Sequence, residues 1–500
     1  MRIHSVIIKQ ELHEQLYAHL IREDGQEDLC FATYIPSTGY SRLTGIISSL
    51  IFPERNERNV HRNVGFSPDY LERALSIAAA RKEGLVFLHS HPSAGWQDMS
   101  SDDIVAETRI SPAVMGMTGY PLLGLTLGTD NAWSARYWHK DPEHKRKYDR
   151  YWCETVRVLG KNLTVTFNDN ILSANFHTGR QLRTISAWGS KNQEDLSRLK
   201  IGIVGLGSVG SIVAEILART GIAHFVLIDF DSVEEKNLDR LTNVFKEDIG
   251  RAKVDAIADA VQRSSTAPNV DIEKSEYSIC EEDGYQRALD CDILFSCVDR
   301  PWPRQVLNFI SYAHLIPVID GGILVRTNKR TGKMIGADWK AQTVGYQRTC
   351  LECLGQYKTE NATLEQSGKL DDPSYIAGLD AKEFIDAHEN VFCFSSHLAS
   401  MEVFHLISLF ISPSGISDTG QQMYHLVTGT LDNNHDAGCK ENCFFTTIIG
   451  KGDHAGIIVY DKHLVAEKTR KQRLKTQQKV VIQNPGVMSR TINWLKRLIK

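Results

Sequence analysis

The stretch KIGIVGLGSVGSIVAEILARTGIAHFVLIDFD, residues 200–231, constrains the fold more than any other part of the sequence. An apolar run short enough for a strand turns through glycines into an amphipathic helical run and returns to a second apolar strand. That is one βαβ unit, and a crossover of this kind commits the surrounding chain to a parallel sheet covered by helices. Gly205, Gly207 and Gly210 stand where strand passes into helix, the place at which backbone N–H groups and the helix dipole receive phosphate. Asp229, ending the second strand, is placed to bind a ribose hydroxyl. Up to this point a nicotinamide-dependent dehydrogenase is described equally well.

The following residues separate the two readings. DFDSVEEKNLDR and GRAKVDAI bring Asn237, Arg240 and Lys253 after Asp229, so one loop and the next helix direct an amide and two cations toward a triphosphate. Hydride transfer has no need of them; nucleotidyl transfer does, because negative charge moves onto departing pyrophosphate. From about 195 to 450 the chain resembles the ThiF/MoeB and ubiquitin-activating enzyme superfamily. The resemblance rests on GLGSVG, on DFDSVEEKNLDR with Asp231 as its second acid, on Lys253, and on Asp299 in FSCVDRPWPR. It implies a doubly wound Rossmann-like domain that uses ATP, with Asp299 holding Mg²⁺ and Arg240 and Lys253 serving catalysis. It also implies a homodimer through this domain. Leu241 stands where the family usually has Gln, and the family's N-terminal arginine corresponds to Arg180 or Arg183.

A chain of 500 residues exceeds one ordinary domain. Before the βαβ unit, the strand-like runs LCFATYIP, GIISSLIF, LVFLHS and LLGLTLG surround one helical stretch that opens at Ser67-Pro68 and is expected to end at Gly84. In GLVFLHSH, His89 and His91 lie two apart on a strand end and so share a face, which is half of a metal site. A catalytic zinc takes a third protein ligand and leaves a position open. Asp102 and Asp103, beyond the Gly-Trp turn, both qualify. HSHP followed by Ser100 and Asp103 resembles the JAB/JAMM zinc isopeptidases, whose SxxD element makes Asp103 the ligand, although counting from His91 gives Asp102. The resemblance implies an α/β domain of the JAB/MPN, deaminase-like kind. It also implies Ser100 as a donor to the oxyanion and an upstream glutamate that takes the proton of the attacking water. Glu27, just before a strand, fits that role best, with Glu54 as the alternative.

Ten cysteines in a chain read as cytoplasmic suggest thiols or metal ligands. Cys350, Cys353, Cys439 and Cys443 form a CxxC and a CxxxC pair with the spacing of a closed structural zinc site. Cys393 occupies the place where some activating enzymes that resemble this chain keep the thiol receiving the carrier; a small buried apolar residue is the other reading. HLASMEVFHLISLFI is read as a buried helix and not a membrane span, and the N-terminus lacks the apolar stretch of a signal peptide. Residues 461–500 carry 11 Lys/Arg against 2 Asp/Glu, and the segment SRTINWLKRLIK is read as a basic amphipathic run, first as a solvated helix and alternatively as one that lies on an anionic membrane or docks to a partner; no nucleic acid is expected.

The expected organisation is a metallopeptidase-like domain over 1–155, a strand-containing connector over 156–195, an adenylation domain over 196–455 and a basic tail over 456–500. The two resemblances imply one substrate class. The expected partners are a ubiquitin-like or sulfur-carrier protein ending in glycine and a conjugating enzyme. Sulfur-carrier activation for thiamine, molybdopterin or cysteine synthesis, and a non-enzymatic scaffold for ubiquitin-like proteins, are the alternatives to conjugation.

Overall fold

Period-two alternation builds the first half. In the strand Leu29–Thr38, Cys30, Ala32 and Tyr34 face one way and Leu29 and Phe31 the other, and all are buried. The first face packs with the helix Gln10–Leu20; the second packs with Pro68–Arg81 and Ser101–Thr118. This computed structural model describes residues 2–61, 63–144, 147–328, 330–371, 390–435 and 438–483. Its first sheet has nine strands, in the order Leu163–Phe167, Thr155–Leu159, Ile3–Lys9, Arg42–Ile51, Leu29–Thr38, Gly84–Ser90, Leu122–Leu127, Trp133–Lys140 and Tyr148–Trp152.

The helix expected to run to Gly84 stops earlier. Ser67 caps its start by accepting from the Tyr70 N–H, and Lys82, in the left-handed region at φ 57°, ends it. Gly84 instead opens the strand Gly84–Ser90, where a side chain would collide with the Tyr34 ring. The glycine serves sheet packing and not helix termination.

The second sheet has eight strands. Asp271–Ser275, His224–Ile228, Lys200–Val204, Ile293–Ser296 and Val318–Thr327 are parallel, and Met334–Val344, Gln421–His425 and Thr430–Asn434 continue antiparallel. The parallel part is doubly wound, as expected, and its order reverses between Lys200–Val204 and Ile293–Ser296, where such folds bind ligands. The helix Phe392–Ile411 packs across Ser208–Thr220 and the strands Val318–Thr327 and Met334–Val344. By length and composition it is the one described helix apolar enough to cross a membrane, but 56% of its apolar window is buried in the fold.

The strands of the expected connector belong to the first sheet. Thr155–Leu159 pairs with Ile3–Lys9, and Leu159, Leu163 and Phe167 share a core with Leu199, Ile201 and Ile203 of the second half. The halves are therefore fused through a continuous core. Polar groups reinforce the junction: Asp292 pairs with Arg42 at 2.7 Å and Arg157 at 3.3 Å, all three buried, and Asp290 accepts the backbone N–H groups of Ser41 and Arg42. The expected basic tail is partly docked, since the helix Leu464–Gln483 lies against the second half through Arg470 and Arg473. SRTINWLKRLIK, 489–500, lies outside the described residues.

Candidate functional sites

At the sheet's reversal point, Gly205 takes φ +87° and closes against the Cys297 carbonyl, which leaves no room for a side chain, while Gly210 packs on the Gly205 carbonyl. Gly207 meets nothing on its side-chain face and caps the helix Ser208–Thr220 with no side-chain hydrogen bond. Among the described residues no N-cap side chain is bonded to the first N–H groups of that helix, which leaves them available to an anion.

Asp229 and Asp231 shape the other wall. The Asp229 carboxylate accepts the Leu206 N–H at 2.6 Å and the Asp231 N–H at 2.7 Å, so one acid ties the glycine turn to the following loop. Burial pushes the Asp229 carboxyl above its ordinary range, against the pull of Lys253. Lys253 opens the helix Lys253–Ser264 and its Nζ lies 2.8 Å from Asp231 Oδ2. Burial disfavours the lysine's charge, yet Asp229, Asp231 and Asp299 outweigh it and raise its pKa above that of an ordinary lysine. Asp299, exposed beyond the strand Ile293–Ser296, completes this acidic ring around a retained cation.

Not every predicted residue faces the ring. The Asn237 Oδ1 accepts the Glu234 N–H at 2.9 Å and closes a short turn. Arg240 folds back on the Lys236 carbonyl and on Asp239, 2.9 Å away. Leu241, in place of the family's Gln, is buried in the core. Arg180 and Arg183 are both exposed beside Leu182–Trp188, which favours neither. A residue that motif reading missed is Asn390, whose amide donates to Ser208 Oγ at 2.7 Å and whose Oδ1 accepts from Ser395. No local pattern marks it, because its partner lies far back in the chain.

In the first half, the strand Gly84–Ser90 and the start of Ser101–Thr118 bring three donors together. His89 Nε2 and His91 Nε2 are 3.1 Å apart, and the two Asp103 oxygens each lie 3.3 Å from one of them. A tetrahedral Zn²⁺ with bonds of about 2.0–2.1 Å requires donor separations of about 3.3 Å, so this donor set fits the ion. Asp103 is the acid in place; Asp102 is exposed on the helix. Burial works against the Asp103 charge, but hydrogen bonding to His89 and His91 outweighs it and holds the carboxyl far below its usual range. Burial likewise lowers His89, favouring the neutral ring a metal needs. Ser100 caps the helix by accepting the Asp103 N–H at 3.1 Å, and the Asp103 carboxylate accepts the Ser100 N–H at 2.8 Å. The Ser100 hydroxyl proton is left to donate.

Beneath, Thr126 Oγ1 lies 3.3 Å from His89 Nε2 and accepts from Arg136 at 2.6 Å, and Arg136 pairs with buried Glu107. Glu27 precedes its strand by two residues. The register ends with Leu29 opposite His89, and the Ser90 N–H donates to the Asp28 carbonyl, so Glu27 lies on the segment leading into the strand beside the histidine strand. Glu54 sits in another turn, exposed and 3.8 Å from Arg73.

The four cysteines also converge. Cys350 Sγ and Cys443 Sγ are 3.6 Å apart, and all four sulfurs lie within 4.8 Å of one another. Backbone N–H groups of Cys350, Cys353 and Lys440 donate to sulfurs of the cluster. Zinc–sulfur bonds of about 2.3 Å need edges of about 3.8 Å, so the group fits a closed zinc site. Hydrogen bonding from Cys350 holds the Cys439 thiol well below its usual range. Cys393 is the exception among the ten cysteines: it is exposed, at the start of Phe392–Ile411, and is not the packed core residue that the alternative reading supposed.

Residues 178–417 match the ThiF family, a stretch that begins inside the expected connector. The chain is 35% identical over 129 residues to ubiquitin-like modifier-activating enzyme 5 of Bombyx mori, covering 23% of this chain and 32% of that protein. It is 34% identical over 131 residues to the protein of the same name from Oryza sativa subsp. japonica, covering 23% and 30%. The chain thus spans about a third of the length of these curated relatives. A solved structure, E. coli MccB with ATP, is 18% identical and covers 54% of this chain and 75% of its own, with a TM-score of 0.39. The matched segment, residues 178–417, is similar to the ThiF family.

Proposed function

We propose that the chain activates the C-terminal carboxylate of a small ubiquitin-like or sulfur-carrier protein as its acyl-adenylate, and that its first half hydrolyses an amide bond at the same kind of terminus. One observation carries the first part: Lys253, held charged among three acids, stands beside a glycine turn whose helix start is uncapped. The turn's N–H groups bind the triphosphate and Asp229 holds the ribose. A carboxylate oxygen attacks the α-phosphorus, the bond to the bridging oxygen breaks, and pyrophosphate departs with the electron pair. Lys253 neutralises the charge that develops there. Asp299 is the residue that would hold Mg²⁺.

Cys393 favours conjugation over release to sulfide. Asn390 bonds Ser208 at the start of the glycine-turn helix, and the exposed Cys393 follows three residues later, at most about 11 Å along the chain, which supports a thiol near the proposed nucleotide site. Attack of its sulfur on the acyl carbon would expel AMP and leave a thioester.

For the amide bond, His89, His91 and Asp103 would hold Zn²⁺, which makes a water acidic near neutral pH and polarises a carbonyl. Glu27 takes the water's proton and returns it to the leaving amine, while Ser100 donates to the oxyanion. The test is pyrophosphate exchange into ATP with diglycine-ended ubiquitin-like proteins. Exchange that disappears when the carrier's terminal carboxylate is amidated supports adenylation; exchange unaffected by amidation refutes it.

A further inference from the structure

The helix Leu464–Gln483 is rich in basic residues, and two of its arginines, Arg470 and Arg473, dock on the second half of the chain. Arg473 is 6% exposed, on a helix whose neighbouring lysines 471 and 475 face solvent. Its guanidinium donates to the Phe230 carbonyl at 3.1 Å, the Asp231 carbonyl at 3.2 Å and Ser232 Oγ at 3.0 Å, and it pairs with Glu276. These are consecutive residues of the loop that carries Asp229 and Asp231. The Asp231 carbonyl accepts a second bond, 3.0 Å, from the Lys253 N–H, so the loop is held between the start of the lysine helix and a cation supplied from the end of the chain.

The rest of the segment docks separately on the second half. Arg470 makes a forked pair with buried Glu281, both contacts 2.7 Å, and lies over the Tyr277 ring at 4.4 Å. The His463 ring packs against Phe230 and Trp302 at 5.6 and 5.1 Å. A surface helix that only needed solubility would not bury a guanidinium against backbone carbonyls, because a buried charge costs free energy unless its donors are met. Here they are met by Glu276 and by the loop that carries Asp229 and Asp231.

We infer that the C-terminal helix is part of the nucleotide site, with Arg473 a positioning residue that fixes the Asp229–Ser232 loop so that Asp229 meets the ribose of ATP. This rests on the adenylation reading. The arginine touches no substrate atom; it acts through the loop. Loosening it should weaken ATP binding and, more specifically, blunt the site's discrimination between ATP and 2′,3′-dideoxy-ATP, which lacks the hydroxyls Asp229 holds. A variant that merely destabilised the fold would weaken both nucleotides alike.

The experiment titrates full-length wild type, Arg473→Ala, Arg473→Lys and Arg470→Ala with Mg-ATP and Mg-2′,3′-dideoxy-ATP, with thermal melts alongside. Arg473→Ala is expected to lose about tenfold in ATP affinity, the worth of a charge-assisted hydrogen bond, and most of its preference for ATP over the dideoxy nucleotide. Arg473→Lys should recover part of both, and Arg470→Ala should keep the preference, since its contacts, Glu281, Glu276 and Tyr277, all lie outside the Asp229–Ser232 loop. If Arg473→Ala does not accumulate folded, Arg473→Lys decides: it keeps the charge but not the fork, and should still lose about threefold in preference. Wild-type preference in the folded Arg473 variants overturns the inference while leaving adenylation standing. A wild type that does not bind ATP, or that binds both nucleotides equally, overturns the inference, and failure to bind ATP also removes the reading beneath it.

Discussion

Lys253 is where a motif residue and its environment agree most closely. Its spacing after the DxD acids marked it, and burial among three carboxylates explains how a largely desolvated amine stays charged. Lys253→Ala should therefore lower pyrophosphate exchange on the order of a hundredfold, the range seen when a group that stabilises transition-state charge is removed. Loss of less than threefold would take the lysine out of the chemistry. Asn237 and Arg240 teach the opposite lesson. Their places in the motif were legible, but where each side chain points depends on the turn Glu235–Asn237, which accepts one and turns the other back on itself. The choice between Asp102 and Asp103 was open for a similar reason. Spacing counts residues, whereas helix phase decides which acid faces the histidines, and the cap at Ser100 sets that phase.

Ser100 links helix geometry to the donor cluster. Its capping box starts Ser101–Thr118 and places Asp103 between the two histidines. Ser100→Ala should cost about 1 kcal/mol of stability as a lost N-cap. Zinc affinity measured by competition with a chromophoric chelator should fall with it; unchanged affinity would show that the cap does not govern Asp103. The cysteine pairs tie Cys350 and Cys353 to Cys439 and Cys443 near the end of the domain. Stripping the metal with a strong chelator should lower the melting temperature, because a closed site converts binding free energy into folding free energy. An identical melt after verified metal removal would assign the cysteines another task. Strand and helix identities were largely visible in period and caps. Gly84 was misplaced because a glycine that admits a ring looks, in sequence, like one that ends a helix.

The junction of the two halves was not legible at all. Arg42, Arg157 and Asp292 come from distant parts of the chain, and no local pattern announces that they meet in the core. Asp292→Ala leaves two buried guanidinium groups without their shared partner and should destabilise the whole chain by about 3–5 kcal/mol in chemical denaturation. A change under about 1 kcal/mol would mean that the halves are held by apolar contact alone. The same junction has a pH signature. Burial lowers His314, which bonds Ser37 across it and Tyr285 on its own side, to about 3, and burial elsewhere in the fold lowers His4 and His405 to about 4. These rings are neutral in the folded chain and take up protons in the unfolded one below about pH 6.5, so the unfolded state binds more protons and stability falls as pH drops from 6.5 toward 4. Denaturation midpoints across that range should decline, and replacing His314 with Asn should make the decline shallower. A slope that is flat in both proteins would contradict the assignment.

A doubly wound sheet serves dinucleotides as well as triphosphates, so the proposed role of the glycine turn and Lys253 turns on which nucleotide binds there. Calorimetric titration of the full-length protein with Mg-ATP and, separately, with NAD⁺ addresses this directly. Saturable one-to-one binding of ATP, no measurable heat with NAD⁺, and loss of ATP binding in Lys253→Ala are the predicted result. Preference for NAD⁺, or ATP binding indifferent to Lys253, would contradict it.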